Sequence, residues 1–509
     1  MRVDKKVKNI ISALLFFVLI SFVLVSVTYL MRGNRYSYDD RITVAGLKEE
    51  AKNSLDVIYI GGSAAFTYYE PLKTFSDHGF ASYDLATNNM QAEAILSYVR
   101  YAQKYQDPSL YVIGVRAFQY YSETGDEYAL RIASDALDIG INRFSLVHDY
   151  LSDREMDAEP AALYWDIMKY HTNYEAFSTG QAWDLMDNSI VCDNKGGRIG
   201  SDHYYLNEPR DFDTKERAVL EAGCEKTLRK LLKYLSDNHL EALFVVCPYM
   251  ITKEHYAIYN SIQDIVNEYG YSFLNTNDHY TEMNIDYAQD FSDVNHVNAV
   301  GAEKYTEFLE KYIIDNYKVP DHRGEAAYSR WEALAEEYKE SSREMRNEVY
   351  DTIAYRKEGL EQRRLIEAET DPTLWSELIN DQRYTCIVVG NGTALSGLGN
   401  IWKKTLGRLG FPDDLYETPN FMGGYCGGKE LFTNGPGEKK MQVQILNRGE
   451  TSCDIDNEGG RGSIVINDVE YRLKSDEGID VVIFDNTYRE MIDAVALTCD
   501  KNGELVISR

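Results

Sequence analysis

The chain opens with an unbroken apolar run and then settles into alternating short apolar blocks and amphipathic stretches. The run is Ile10 to Leu30, IISALLFFVLISFVLVSVTYL, 21 residues without a charge. About 20 residues of helix cross the hydrocarbon layer of a bilayer, so this run predicts a membrane-spanning helix. A secretory signal peptide is the competing reading. Its apolar region is shorter and ends at small residues. Here the run ends VTYLMRGNRY, with no A-x-A-like site, which favours an uncleaved anchor. Arg2, Lys5, Lys6 and Lys8 precede the run; Arg32 and Arg35 follow it, then Asp39 and Asp40. The denser basic flank belongs on the cytoplasmic side. The expected address is the cell membrane, single-pass, with the N-terminus cytoplasmic and the rest of the chain extracellular or in a lumen.

Past the anchor, DVIYIGGS is apolar and β-branched, as a strand buried on both faces would be. MQAEAILSYVRYAQKY carries Ala94, Leu96, Val99 and Ala102 at helical spacing. SLYVIGVRAF is a second apolar block. The amphipathic CEKTLRKLLKYLSDNHL leads into a third, EALFVVCPY, ended by Pro248. SIQDIVNEYGYSFLNT repeats helix then strand. This alternation predicts an α/β domain, a parallel sheet covered by helices, over residues 37–323. Residues 121–215 break the rhythm, being rich in Tyr, Asp and Asn without a clear strand. They read as an insertion over one edge of the sheet.

Residues 324–380 are nearly all helix formers with charges of both signs. Their apolar positions are too irregular for sustained heptads, and Gly359 is expected to interrupt, so a helical spacer or hairpin is predicted. Strands return in 381–509: YTCIVVG, two around the Asn467-Asp468 turn in SIVINDVEYRL, and IDVVIFDN. IWKKTLGRLG reads as a short helix stopped by Gly410. A small mixed α/β domain is expected there. The first 36 residues form the cytoplasmic tail and anchor.

Composition narrows the function. A length of 509 residues suggests two or three domains. With 82 acidic against 53 basic residues, the formal charge is -29, which excludes a nucleic-acid partner held by its phosphates. Seven cysteines include no C-x-x-C pair, so zinc and thioredoxin-like readings have no support. Disulfides among Cys386, Cys426, Cys453 and Cys499 stay open, because sequence does not fix connectivity. DIDNEGGRGSIV begins like a calcium loop, but Val465 stands where a bidentate glutamate is needed. GNGTALSGLGN lacks the G-x-G-x-x-G spacing. No cofactor and no metal are expected. The 40 tyrosines suit sugar platforms, though such residues equally pack with their hydroxyls at the surface.

Two segments carry candidate chemistry. In IYIGGSAAF, Ser63 follows two glycines at the end of an apolar block. The glycines permit a tight turn and close approach to a serine hydroxyl. A serine is a weak nucleophile that needs a base and donors for the oxyanion. The elbow G-x-S-x-G is not matched, since Ala65 holds its last position. In DFSDVNHVNAVGAEKY, Asp293 lies three residues before His296. One short turn then brings the carboxylate to one ring nitrogen, as the orienter and base of a triad require.

Together these blocks resemble the SGNH (GDSL-like) hydrolase superfamily over roughly residues 50–315. The resemblance implies a flavodoxin-like fold with Ser63, Asp293 and His296 catalytic. YDLATNNMQAEAI resembles its second block, with Ala86 in place of the usual glycine. The third-block asparagine is not evident in VIGVRAF, and Asn88 or Asn89 is the substitute at hand. The implied oxyanion hole is Ser63, Ala86 and Asn88. An anchor plus an exported domain of this kind is similar to the teichoic-acid D-alanylation proteins and to alginate or peptidoglycan O-acetyltransferases. MKYHTNYEAF and DNKGGRIG are similar to short motifs of membrane-tethered members, with His171 a substrate-binding candidate or simply a surface histidine. Residues 383–500 resemble the interleukin-like EMT inducer (PANDER-like) domain, which implies carbohydrate binding; Asp480 and Glu477 depart from its pattern.

The expected activity is acyl transfer to, or acyl removal from, a cell-envelope polysaccharide through an acyl-serine. The expected partners are a cell-surface glycan, the membrane and a multi-spanning membrane acyltransferase. The alternative is a catalytically silent glycan-binding scaffold of the envelope.

Overall fold

The computed structural model describes residues 5–32, 38–156, 159–173, 192–203, 205, 207, 214–398, 405–435, 437–445, 452–457, 462–466, 469–472, 478–487 and 490–509. The chain forms two compact units, Met1–Ile353 and Ala354–Arg509. The boundary falls inside one helix, Ser329–Ala368. That helix runs on through Gly359, where a break was expected. A Cβ there would lie 1.8 Å from Nη2 of Arg383, so the missing side chain makes room for a guanidinium. Arg383 stacks 4.4 Å over Tyr355 and pairs with Asp485 at 2.8 Å.

The first unit holds the predicted α/β layers. Five parallel strands, β1 (Val57–Gly61), β2 (Ser82–Ala86), β3 (Leu110–Gly114), β4 (Ala242–Val246) and β5 (Ser272–Asn275), lie in the order β2-β1-β3-β4-β5. Alternate residues of each strand enter separate cores. Ile58, Ile60, Ile113, Phe244 and Val246 join one, with the helices Ala92–Ala102, Ala222–Asp237 and Lys253–Glu268. Val57, Tyr59, Val112, Leu243 and Val245 join the other, with the helices Ser63–Tyr68 and Ala299–Asn316. Burial on both faces is why these strands read as continuous apolar runs. The chain leaves β1 for β2 on one side and then continues as β3 on the other. The C-terminal end of β1 is thus a topological switch point, where open α/β sheets form their ligand crevice.

The insertion joins two interior strands, leaving β3 and returning to β4. Its described part is helical (Glu127–Ala136, Ile141–Asp153, Pro160–Tyr164, Ile167–Tyr170), and Leu130, Leu146, Val147 and Tyr150 share the core of the helix Ala92–Ala102. Two buried arginines hold it: Arg143 bonds Asp166, and Arg131 bonds Glu127 at 2.7 Å and lies 3.6 Å from Asp166.

The second unit is richer in strands than the sequence suggested. A six-stranded antiparallel sheet has the order β15-β14-β13-β6-β7-β8, built from β6 (Tyr384–Gly390), β7 (Phe421–Cys426), β8 (Lys429–Thr433), β13 (Gly478–Asp485), β14 (Glu490–Cys499) and β15 (Leu505–Ser508). A four-stranded sheet has β12 (Val469–Arg472), β11 (Ser463–Ile466), β10 (Ser452–Asp456) and β9 (Lys440–Gln444) in that order. Ile387, Val389, Val482 and Phe484 of the first sheet pack on Cys453, Ile455, Ile464 and Ile466 of the second. The other face of the first sheet packs on Trp375 and Ile379 of the helix Pro372–Ile379. The strands β11 and β12 pair as the predicted hairpin, Ile466 opposite Val469; the turn itself, Asn467-Asp468, lies outside the described residues, as do Glu477 and most of IWKKTL. The 3-10 turn Gly407–Leu409 ends at Gly410 in the left-handed region, φ 89°. All seven cysteines are unpaired, including the four for which disulfides were open.

Two buried acids in the first unit carry a pH signature. Burial pushes Glu70 up to about 7 and Glu310 up to about 8 from an ordinary 4.5. Neither oxygen of Glu70 has a hydrogen-bond partner. A raised carboxyl pKa means that the folded state binds more protons than the unfolded one. Its stabilisation is complete below the ordinary value and is lost as pH rises through 7 and 8. Denaturant midpoints should therefore fall between about pH 5 and pH 9, and Glu70→Gln should flatten that slope. An unchanged slope in the variant would show that Glu70 is already ionised in the fold.

Candidate active site

The site grows from the C-terminal end of β1. The strand ends at Gly61, where an added Cβ would press to 3.2 Å from Ala65 Cβ and 3.6 Å from Gly114 Cα of the neighbouring β3. Gly62 is extended, and the helix Ser63–Tyr68 starts at once. Ser63 is thus held at the first helical position, beyond the sheet, with its hydroxyl free to turn outward.

His296 comes from the loop between β5 and the helix Ala299–Asn316, on the same face of the sheet as the helix Ser63–Tyr68. Its Nε2 lies 2.8 Å from Ser63 Oγ, across a sequence separation of 233 residues. Its Nδ1 lies 3.0 Å and 3.2 Å from the two oxygens of Asp293. Oδ1 of Asp293 also accepts the backbone N–H groups of Asn295 at 2.6 Å and His296 at 2.9 Å. Burial works to raise the pKa of Asp293, but the His296 ring and these N–H donors outweigh it and hold the carboxyl below its ordinary range. Asp293 is then ionised at neutral pH. Nδ1 must be the donor to it, which leaves Nε2 to accept the serine proton.

The loop that carries the pair is fixed from several sides. Ser292 N–H donates to His296 C=O at 2.9 Å. Asn298 caps the helix Ala299–Asn316, accepting from the N–H groups of Val300 and Gly301, and its amide donates to Gln289 C=O at 2.7 Å. Arg116 grips Asn295, through Nη1 to the backbone carbonyl at 2.9 Å and Nη2 to the side-chain oxygen at 3.0 Å. The Tyr68 hydroxyl lies 2.9 Å from the same carbonyl and 2.6 Å from that of Pro248, tying this loop to the end of β4.

Beside Ser63 and His296 is a cavity of about 200 Å³ whose wall includes Asn89, Met90, Arg116 and Tyr120. The structure brings Ser63, Asp293 and His296 together. It separates the other expected residues from them. Ala86 is wholly buried at the end of β2, opposite Gly61, and is not on the cavity wall. Asn88 turns away: its N–H donates to Asp40 at 3.0 Å and its amide to both Asp40 oxygens at 3.2 and 3.0 Å. Asn89 takes the place expected of Asn88. It lines the cavity with φ 50°, a left-handed conformation that asparagine tolerates better than most residues. His171 is exposed, bonded to the carbonyl of Met168 at 2.9 Å, and does not line the cavity.

Arg116 is the residue that sequence reasoning missed. It stacks 4.3 Å from the Tyr249 ring centre and bonds Tyr120 at 2.9 Å. No carboxylate among the described residues pairs with it. A signal for it was present: β1 and β3 both end in glycine, with Ser63 and Arg116 each two positions on. Among the described residues no group of three or more His, Cys, Asp or Glu is arranged to hold a metal ion.

Comparison with known proteins finds no family model and no curated protein that matches the chain.

Asn298 supplies both the cap and the loop anchor next to His296, so its loss should be felt twice. Asn298→Ala is expected to lower unfolding free energy by about 1–2 kcal/mol, with Asn298→Asp losing less because it keeps the capping oxygen. Urea denaturation of the two variants checks this; equal losses would deny the cap its role.

Proposed function

We propose that the chain is a membrane-anchored serine enzyme of the SGNH type, working outside the cytoplasm to transfer or remove acyl ester groups on a cell-envelope polysaccharide. The observation that carries the proposal is the unbroken chain from Ser63 Oγ through His296 to Asp293 beside a cavity. A serine hydroxyl bonded to an imidazole that is itself bonded to a carboxylate is the arrangement that makes serine a nucleophile near neutral pH.

In this reading the Ser63 hydroxyl attacks an ester or thioester carbonyl while Nε2 of His296 takes its proton. Asp293 keeps the ring in the right tautomer and stabilises the imidazolium. The carbonyl oxygen becomes an oxyanion, for which the backbone N–H groups of the cavity-lining Ser63 and Asn89 are the donors at hand, Asn89 replacing the Ala86 and Asn88 of the sequence expectation. The guanidinium of Arg116 adds positive charge to the same wall, where the third-block asparagine was sought. The tetrahedral adduct collapses to acyl-serine, and the imidazolium protonates the leaving group. A sugar hydroxyl, or water, then reverses the sequence: His296 removes its proton, it attacks the acyl carbon, and Ser63 regains its hydrogen. A multi-spanning acyltransferase in the same membrane would supply the acyl group in the transfer version. The second unit is read as the glycan-holding part, on its resemblance to the interleukin-like EMT inducer domain.

A fluorophosphonate probe should label the wild-type protein and fail on Ser63→Ala. Asp293→Asn should keep the fold and slow labelling by about 10³–10⁴-fold, the scale of a lost tautomer control. Ester-linked acyl groups on envelope polymers should differ between cells carrying the wild type and Ser63→Ala. A folded protein that never labels, with unchanged envelope esters, would leave the scaffold reading in its place.

A further inference from the structure

The anchor helix and the insertion meet in a way that fixes the height of the catalytic unit. We infer that an exposed apolar patch formed by Ile141, Trp165 and Met168 sits in the headgroup layer of the membrane that holds the anchor. The inference rests on reading the N-terminal helix as a membrane span.

The candidate span of that helix is Lys6–Thr28, 23 residues, its uncharged run beginning at Ile10. At 1.5 Å per residue it is about 34 Å long, slightly more than the roughly 30 Å hydrocarbon layer. Its side chains are open to the surroundings as far as Val25, whereas Thr28 is 7% exposed. The protein body therefore begins to cover the helix near the end of its span. What covers it is the helix Ile167–Tyr170, and Asn173 donates to the Met31 carbonyl at 2.8 Å. Any part of the body touching this last turn lies at headgroup depth.

Around the helix Ile167–Tyr170, which meets the anchor, the insertion exposes large apolar groups. Ile141 is 90% exposed, Trp165 55% and Met168 48%. Trp165 packs on Phe144 at 5.6 Å, one turn from Ile141 on the same helix. Tryptophan favours the bilayer interface, where its ring is half apolar and its N–H stays wet. Exposed large apolar groups gathered on one segment need a reason to face outward. Asp166, between Trp165 and the helix, is buried against Arg131 and Arg143, so the patch stands on a rigid base. Continuity with the anchor selects the bilayer as its occupant over a soluble partner.

The same geometry places the cavity near the membrane. Asp40 is eight residues beyond Arg32 and holds Asn88, the neighbour of cavity-lining Asn89. At no more than about 3.5 Å per residue, the Asn88 loop lies within roughly 30 Å of the anchor's end. Glycans acted on there are those still close to the membrane surface.

The test uses full-length protein in vesicles of phosphatidylcholine with brominated acyl chains. The difference in tryptophan emission between wild type and Trp165→Phe isolates Trp165, and the phenylalanine keeps the packing. Strong quenching of that difference signal by brominated lipid, relative to unbrominated vesicles, supports the inference. Protein that stays out of the vesicle fraction would overturn the anchor reading and the patch together. Incorporated protein whose Trp165 is unquenched and open to aqueous iodide would overturn the patch alone. Trp165 shielded from iodide only in native membranes, not in vesicles, would assign the patch to a membrane-protein partner instead.

Discussion

The His296 ring is hydrogen-bonded at both nitrogens, to Ser63 at 2.8 Å and to Asp293 at 3.0 Å. The chemistry argued above exists only while both bonds hold. Neither is strong enough alone to position a ring against thermal motion, since a single hydrogen bond is worth about 1 kcal/mol net. Position comes from the surroundings. Asn298 pins one end of the loop to a helix start, Arg116 and Tyr68 pin its middle to β3 and β4, and the backbone of the loop folds onto the Asp293 carboxylate. Removing the imidazole's freedom in this way is what converts an ordinary serine at a strand end into a poised one.

The parallel sheet supplies the other half of the constraint. Both of its faces are buried, so a register slip would not merely move one strand; it would exchange the two cores. That fixes the ends of β1 and β3 side by side, and Gly61 and Gly114 let them approach closely. Two residues past these glycines stand Ser63 and Arg116. Ser63 and the Arg116 cation on the cavity wall are therefore placed by strand pairing, which is stiff, rather than by loops. Arg116 bonds neutral groups only, a carbonyl, an amide oxygen and a phenol. A guanidinium so partnered keeps its field for whatever negative charge forms in the cavity, which suits an oxyanion.

Much of this was legible beforehand, for identifiable reasons. The strands of the parallel sheet announced themselves because burial on both faces makes them continuously apolar. Asp293 and His296 were legible because three residues suffice for a short turn to join them. The second unit was read less completely. Its strands β9 and β10, Lys440–Gln444 and Ser452–Asp456, alternate polar and apolar residues over only five positions, and β7 carries the pair Gly423-Gly424, which local propensity counts against a strand. Gly359 was read as a break because glycine costs a helix about 1 kcal/mol. The space its missing side chain leaves for Arg383 depends on a residue 24 positions away, invisible to any local window.

The sequence by itself determined the apolar helix at the N-terminus, the α/β character of the first unit, and the short spacing that lets Asp293 reach His296. Each of these follows from hydrophobic period or from neighbours close along the chain. Only the tertiary structure decided that Ser63 and His296 touch, that Asn88 is spent on Asp40 while Asn89 faces the cavity, and that His171 stays off the cavity wall. These outcomes depend on which way a side chain points once strands are paired. A turn of one residue reverses that direction without changing the composition or the spacing that a sequence displays.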